Sequence, residues 1–254
     1  MQKFLLILVS VLFLSTSFYT IKSKSEKPTA NLVKVETAAT PLKTKAKNSA
    51  EKAAEIYNSI SFSDMKKLNP EVFEKAFLGF ENLKKAGKMP ENSNLLTIAD
   101  FSLSSTEKRL WVIDVAEKKV LFNSLVAHGK NTGEEFAQKF SNIESSYQSS
   151  LGFYITESSY NGSNGYSLKL IGMDEGYNDA ALQRAIVMHG ADYVSEDFIK
   201  SQKRLGRSWG CPAVPRELAQ PIINTIKNNN CLFIYYPDQQ YLSSSKWLKT
   251  EINS

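Results

Sequence analysis

One of the chain's two cysteines, Cys211, and one of its two histidines, His189, stand in the runs Arg207-Ser208-Trp209-Gly210-Cys211-Pro212 and Met188-His189-Gly190. A thiolate attacks a carbonyl carbon far better than a thiol does, and a neighbouring imidazole supplies the proton acceptor that makes the thiolate accessible near neutral pH. The pair therefore points to nucleophilic acyl chemistry with Cys211 as nucleophile and His189 as base. They lie too far apart along the chain to meet on one helix, so tertiary structure must bring them together. The flanking Gly190 and Gly210 would let backbone N–H groups approach a reacting carbonyl closely.

Elements must exist to position these residues, and the composition permits them. At 254 residues the chain accommodates one catalytic domain with smaller appendages, and 42% hydrophobic with 22% charged residues is ordinary globular composition. The formal charge of +5 is concentrated in amino-terminal lysines from Lys22 to Lys52, which argues against a nucleic-acid-binding domain. Residues 1–20 carry Lys3, the apolar run Phe4 to Leu14 and then small polar residues, the order of a secretory signal peptide or an uncleaved anchor. Residues 21–49 read as a flexible basic linker, a lysine-rich tether that could lie against an anionic envelope polymer or a membrane. An exported protein permits a Cys211–Cys231 disulfide, but Cys231 opens the apolar run to Tyr236, where a cysteine also reads as a small buried hydrophobe.

Residues 50–90 read as a helical extension packed on the core. Asn69-Pro70-Glu71 is a strong helix start, Val72, Phe73, Ala76, Phe77, Phe80 and Leu83 recur at helical spacing, and Gly87 is placed to close the helix. Residues 91–254 read as the catalytic domain. Leu95–Ala99, Leu110–Val115 and Val120–Val126 are expected strands, the last two forming a hairpin. Short strands and tight turns are expected from His128 to Gly176, and a short helix from Asp179 to Ala185. The strand Ile186–Met188 would then deliver His189 at its end; a helix near Arg216 to Asn228 and the Cys231 strand follow. The fold class is α+β, mainly β around the site, with amino-terminal helices.

The runs His128-Gly129, Phe140-Ser141-Asn142, Ser149-Ser150-Leu151-Gly152, Gly176-Tyr177-Asn178-Asp179, His189-Gly190-Ala191-Asp192-Tyr193 and Gly206 to Pro212 together resemble the murein L,D-transpeptidase catalytic-domain family, over about Leu95 to Leu248. The likeness is closer to a divergent branch with Ser-Trp-Gly-Cys-Pro in place of the motif Ser-His-Gly-Cys. The resemblance implies acyl transfer on peptidoglycan stem peptides without a cofactor, in the periplasm or cell envelope. Cys211, deprotonated by His189, would attack the carbonyl of the third stem residue, expel the terminal D-alanine and form a thioester. An amine acceptor then gives a crosslink and water gives L,D-carboxypeptidase trimming. Backbone N–H groups of Gly210 and Cys211 are the expected oxyanion donors. Ser208 reads as a catalytic helper or a loop-holding serine, and Trp209 as a substrate wall or core packing. Arg207, with Arg216 as rival, is a candidate for a stem carboxylate, and both also fit solvated surface arginines. His128 and Gly190 could line the substrate site, His128 doubling as a reserve base.

Two other functions compete. A zinc peptidase would need more ligands than two histidines supply, and the chain has no His-Glu-x-x-His helix. A noncatalytic peptidoglycan-binding protein retaining the fold is the stronger alternative, because Trp209 and Pro212 depart from the family motif.

Overall fold

The computed structural model describes residues 48–250; the leader and most of the expected linker lie outside the described residues. Helix α1 (Ser49–Ser59) starts at a capping box in which Asn48 Oδ1 accepts from the Glu51 N–H at 2.8 Å and Glu51 Oε2 accepts from the Asn48 N–H at 3.1 Å. Helix α2 (Pro70–Lys85) begins as expected, with Asn69 capping the Glu71 N–H at 2.8 Å, and it ends before Gly87 at φ 65°. All six of its periodic apolar residues are buried. Gly79 provides the close approach: a Cβ there would fall 2.0 Å from the Phe153 ring. Phe153 in turn stacks on Phe233 with ring centroids 4.1 Å apart, which sets α2 against the middle of a sheet.

That sheet has eight strands: β1 (Leu95–Asp100), β2 (Leu110–Asp114), β3 (Lys119–Ser124), β4 (Gly152–Gly162), β5 (Gly165–Gly172), β6 (Val187–Ala191), β7 (Ala213–Pro215) and β8 (Cys231–Tyr235). Its order is β3-β2-β1-β8-β4-β5-β6-β7, with β1–β8 and β6–β7 parallel and the other neighbours antiparallel. Every residue of β8 is buried, as befits a central strand, and Cys231 lies inside it as a free thiol rather than in a disulfide. The expected β2–β3 hairpin forms, its turn held by Asp114 Oδ1 accepting from the Ala116 and Glu117 N–H groups, both at 3.0 Å. The long β4–β5 hairpin turns at Gly162–Gly165, within the Gly/Asn cluster.

The sheet closes toward a barrel, because the segment after β3 reaches β7 at the far edge. The Ala127 N–H donates to the Ala213 carbonyl at 2.8 Å, and the Ala213 N–H returns to Ala127 at 3.3 Å. Helix α4 (Arg216–Ile226) then covers β6, burying Ala219, Ile222, Ile223 and Ile226. Two expectations need correction. Asp179 to Ala185 forms turns rather than a helix, since Ala185 takes a left-handed φ of 54°. His189 lies in the middle of β6 rather than at its end, because β7 pairs with it through Ala191 and prolongs the strand. A short helix, α3 (Glu196–Gln202), capped by Ser195, links β6 to β7.

Candidate active site

Parallel pairing of β6 with β7 places His189 opposite Ala213, and Cys211 falls just before β7 at the same edge. Both line an open cleft of about 570 Å³ with the β4–β5 turn, Arg184 to Ile186, Gly190 to Tyr193, Arg207 to Trp209 and Arg216. The structure thus gathers into one cleft the two residues whose chemistry stands out in the sequence.

The Cys211 sulfur accepts the Val187 N–H at 3.5 Å and directs its S–H toward the Ala185 carbonyl at 3.8 Å. Burial pushes the thiol's pKa up, opposed by the Val187 N–H and by the Arg184 charge, so the resting group is a thiol. His189 Nδ1 lies 3.1 Å from the Gly190 carbonyl. A carbonyl can only accept, so Nδ1 carries the proton and Nε2 keeps its lone pair. Burial draws the His189 pKa down, the Gly190 carbonyl opposes this and the Arg216 charge reinforces it. One cleft thus holds a thiol and an imidazole whose tautomer leaves Nε2 as acceptor, two groups of the kinds that exchange a proton in thiol chemistry.

The loop carrying Cys211 is braced by backbone. Gly129 and Gly210 face each other: a Cβ on Gly129 would lie 2.9 Å from Gly210 Cα, and Gly210 itself has φ 124° with the Gln148 carbonyl 2.7 Å from where a Cβ would stand. Neither position has room for a side chain. The Ser208 N–H donates to the His128 carbonyl at 3.0 Å, and the Lys130 N–H to the Ser208 carbonyl at 2.8 Å. Ser149 Oγ bridges the same two segments, accepting from the Gly129 N–H at 3.0 Å and donating to the Gly210 carbonyl at 3.1 Å.

Several candidate residues take different places from those expected. Ser208 Oγ accepts from the Gly210 N–H at 3.0 Å and donates to the Cys211 carbonyl at 2.6 Å, so it holds the turn and does not orient His189. The Gly210 N–H is consequently occupied rather than free for an oxyanion. Trp209 is not core packing: it is 72% exposed, with the Tyr147 ring against it at a 5.6 Å centroid separation.

His128 does not line the cleft. It is buried, with Nδ1 2.8 Å from Arg109 Nη2 and Nε2 3.2 Å from the Gly133 carbonyl. Both ring nitrogens are engaged, and burial with the Arg109 charge pulls its pKa down to about 3, so it is no reserve base. Gly190 lines the cleft, and its missing side chain leaves space for α4, since a Cβ would lie 2.8 Å from that of Ala219. Arg207 pairs with Glu134 at 2.6 Å, and Arg216 forms a two-point pair with Asp192, so each reaches the cleft already bound to a carboxylate. Arg184 was not singled out by the sequence; its only signal is its position just before the strand that carries His189. Among the described residues no group of three His, Cys, Asp or Glu is gathered as a metal site.

The profile of the L,D-transpeptidase catalytic domain family matches residues 64–235, a span that includes α2 and both Cys211 and His189. A search of curated proteins returns no match. Among solved structures, the chain is similar to an L,D-transpeptidase from Mycobacterium smegmatis at 13% identity and a TM-score of 0.35, covering 57% of this chain and 59% of that one. A Mycobacterium tuberculosis L,D-transpeptidase gives 15% identity and a TM-score of 0.34 over 57% of this chain and 58% of that one. The helical cell shape determining protein Pgp2 from Campylobacter jejuni gives 14% and 0.37 over 65% and 55%. The chain thus spans less than two thirds of the length of each of these structures.

Proposed function

The chain belongs to the L,D-transpeptidase catalytic domain family, and on that premise we propose that it is an exported cysteine acyltransferase acting on peptidoglycan stem peptides. The observation that carries this reading is the convergence of Cys211 and His189 on one cleft, with Nδ1 of His189 tied to the Gly190 carbonyl and Nε2 left as acceptor. In the proposed reaction the S–H proton passes to Nε2 and the sulfur forms a bond to the carbonyl carbon of the third stem residue. The tetrahedral oxyanion takes the Cys211 N–H as donor. Its collapse breaks the amide bond, and the imidazolium returns the proton to the departing D-alanine amine. The resulting thioester is released by an amine from a second stem or by water, His189 accepting the proton in either case.

The proposed division of the chain is a leader or anchor at residues 1–20, a basic tether to 49, a helical extension over 50–90 and the catalytic region beyond. The tether would keep the domain near the membrane or the wall polymer, in the periplasm or envelope. Intact-mass analysis after incubation with a disaccharide-free tetrapeptide or a carbapenem tests the reaction: a stoichiometric adduct, absent in Cys211→Ala, is expected. A second reading, stem-peptide binding without turnover, is favoured by one observation, the occupation of the Gly210 N–H by Ser208. Failure to form any adduct while Cys211 is titratable as a free thiol would establish that second reading over the first.

A further inference from the structure

Three arginines line the cleft, and they differ in how their charge is balanced. Arg207 pairs at 2.6 Å with Glu134, which also binds Arg204 at 3.0 Å, and Arg216 pairs with Asp192 at 2.9 Å between Nη2 and Oδ2. Arg184 has no carboxylate partner among the described residues. Its Nη1 donates to the Ser141 carbonyl at 2.8 Å and to Ser150 Oγ, and its Nη2 donates to the Gln148 carbonyl at 2.8 Å and Ser146 Oγ at 3.2 Å. Every acceptor is neutral, so the half-buried guanidinium keeps its full charge.

The same four bonds occupy both terminal nitrogens, leaving no two-pronged face for a substrate carboxylate. What this side chain offers the cleft is its charge at a fixed place. That place is tied to the nucleophile on two sides. The Cys211 sulfur rests against Ala185 and Val187, which follow Arg184 in the chain, and the Gln148 carbonyl that receives Nη2 is the one packed against Gly210. We propose that Arg184 is a positioning residue acting through Cys211: its unbalanced, rigidly held positive charge supplies the field in which the thiol ionises as its proton passes to His189 Nε2. The other charged or titratable groups facing this cleft are His189, which receives the proton, Asp192 and Arg216, which pair with one another, Arg207, which shares the Glu134 carboxylate with Arg204, and Tyr193, whose phenol burial keeps protonated with its pKa raised to about 12. Mutual attraction between the Arg184 charge and an ionised Cys211 favours the charged form of each.

The inference rests on Cys211 being the nucleophile, but thiol ionisation can be read without acyl transfer, so the two ideas fail separately. The measurement is the second-order rate of iodoacetamide alkylation of Cys211 against pH, followed by intact mass, with the fully buried Cys231 as internal background. Arg184→Gln is expected to move the midpoint up by about half a pH unit or more, whereas Arg184→Lys, which keeps the charge but loses the fork, stays within about 0.3 of the parent. Ser146→Asp sets a carboxylate against the guanidinium without removing it and is expected to raise the midpoint as Arg184→Gln does. An unchanged midpoint in Arg184→Gln, or equal shifts in the Gln and Lys variants, overturns the proposal. Should Arg184→Gln not fold, Ser146→Asp decides alone: no shift there overturns it.

Discussion

Replacing His128 by Gln converts a buried titrating group into one that cannot titrate, and the consequence for stability has a definite sign. In the folded protein burial and the Arg109 charge pull the His128 pKa down to about 3, against an ordinary value of about 6.5 in the unfolded chain. Between those values the unfolded chain binds more protons, so the stability His128 permits is complete above about pH 6.5 and is lost as pH falls toward 3. At pH 5 the folded histidine is still neutral, and the loss is set by the unfolded chain alone, about 2 kcal/mol. At pH 4 it reaches about 3 kcal/mol. Urea denaturation of both proteins from pH 7.5 to 4 isolates this contribution, because carboxylates and other groups titrate alike in the two. The stability advantage of the parent over His128→Gln should shrink by these amounts on acidification. A difference that stays flat with pH would show that the ring is not held neutral against Arg109. Because the His128 carbonyl receives the Ser208 N–H at 3.0 Å, the same acidification should loosen the loop that presents Cys211, and thiol alkylation should reveal it.

Other outcomes follow from the site. Ser208→Ala removes the acceptor for the Gly210 N–H and the donor to the Cys211 carbonyl, so a loss of about 1–3 kcal/mol in denaturant titration is expected together with slower adduct formation. Unchanged stability would remove its role as the turn's brace. Trp209→Ala, at a position 72% exposed, should change stability by no more than about 0.5 kcal/mol; any effect should show in peptide affinity, measured by calorimetry. Gly210→Ala forces a side chain into a φ of 124° and against the Gln148 carbonyl, with an expected cost of about 1–3 kcal/mol or more, read as a lowered Tm and lost adduct formation. Native protein should expose one thiol to a disulfide reagent and denatured protein two, without reductant, since Cys211 and Cys231 are both free; a single reactive thiol after denaturation would contradict the geometry.

What could be read from the sequence was local. Helix α2 carries its own start in Asn69 and Pro70, its own apolar stripe and its own stop at Gly87, and the β2–β3 hairpin carries its turn. Helix α3 and the closing strand β7 were not anticipated, because three residues of β7 become a strand only through β6 and Ala127. The expected helix after Asp179 failed where Ala185 turns left-handed, a feature with no glycine to announce it. Within the site, Cys211 and His189 stood out because few side chains do their chemistry. Ser208 and Trp209 were ambiguous since their roles depend on which atoms face them: the Gly210 N–H for one, solvent and Tyr147 for the other. Arg184 escaped attention because nothing in a sequence distinguishes an arginine ringed by neutral oxygens from one paired with an acid.

The bridge between Ala127 and Ala213 joins the two outer ends of the eight-stranded sheet, and the loop carrying Cys211 hangs from that same join. Cys211 therefore sits on the seam of the barrel, where the two margins of the sheet meet. Fraying at either margin would unlatch it before the centre of the sheet is disturbed. Loss of thiol alkylation control should precede the cooperative melt on heating, which makes Cys211 a gauge of closure, and amide exchange at Ala127 and Ala213 a measure of how often the seam opens.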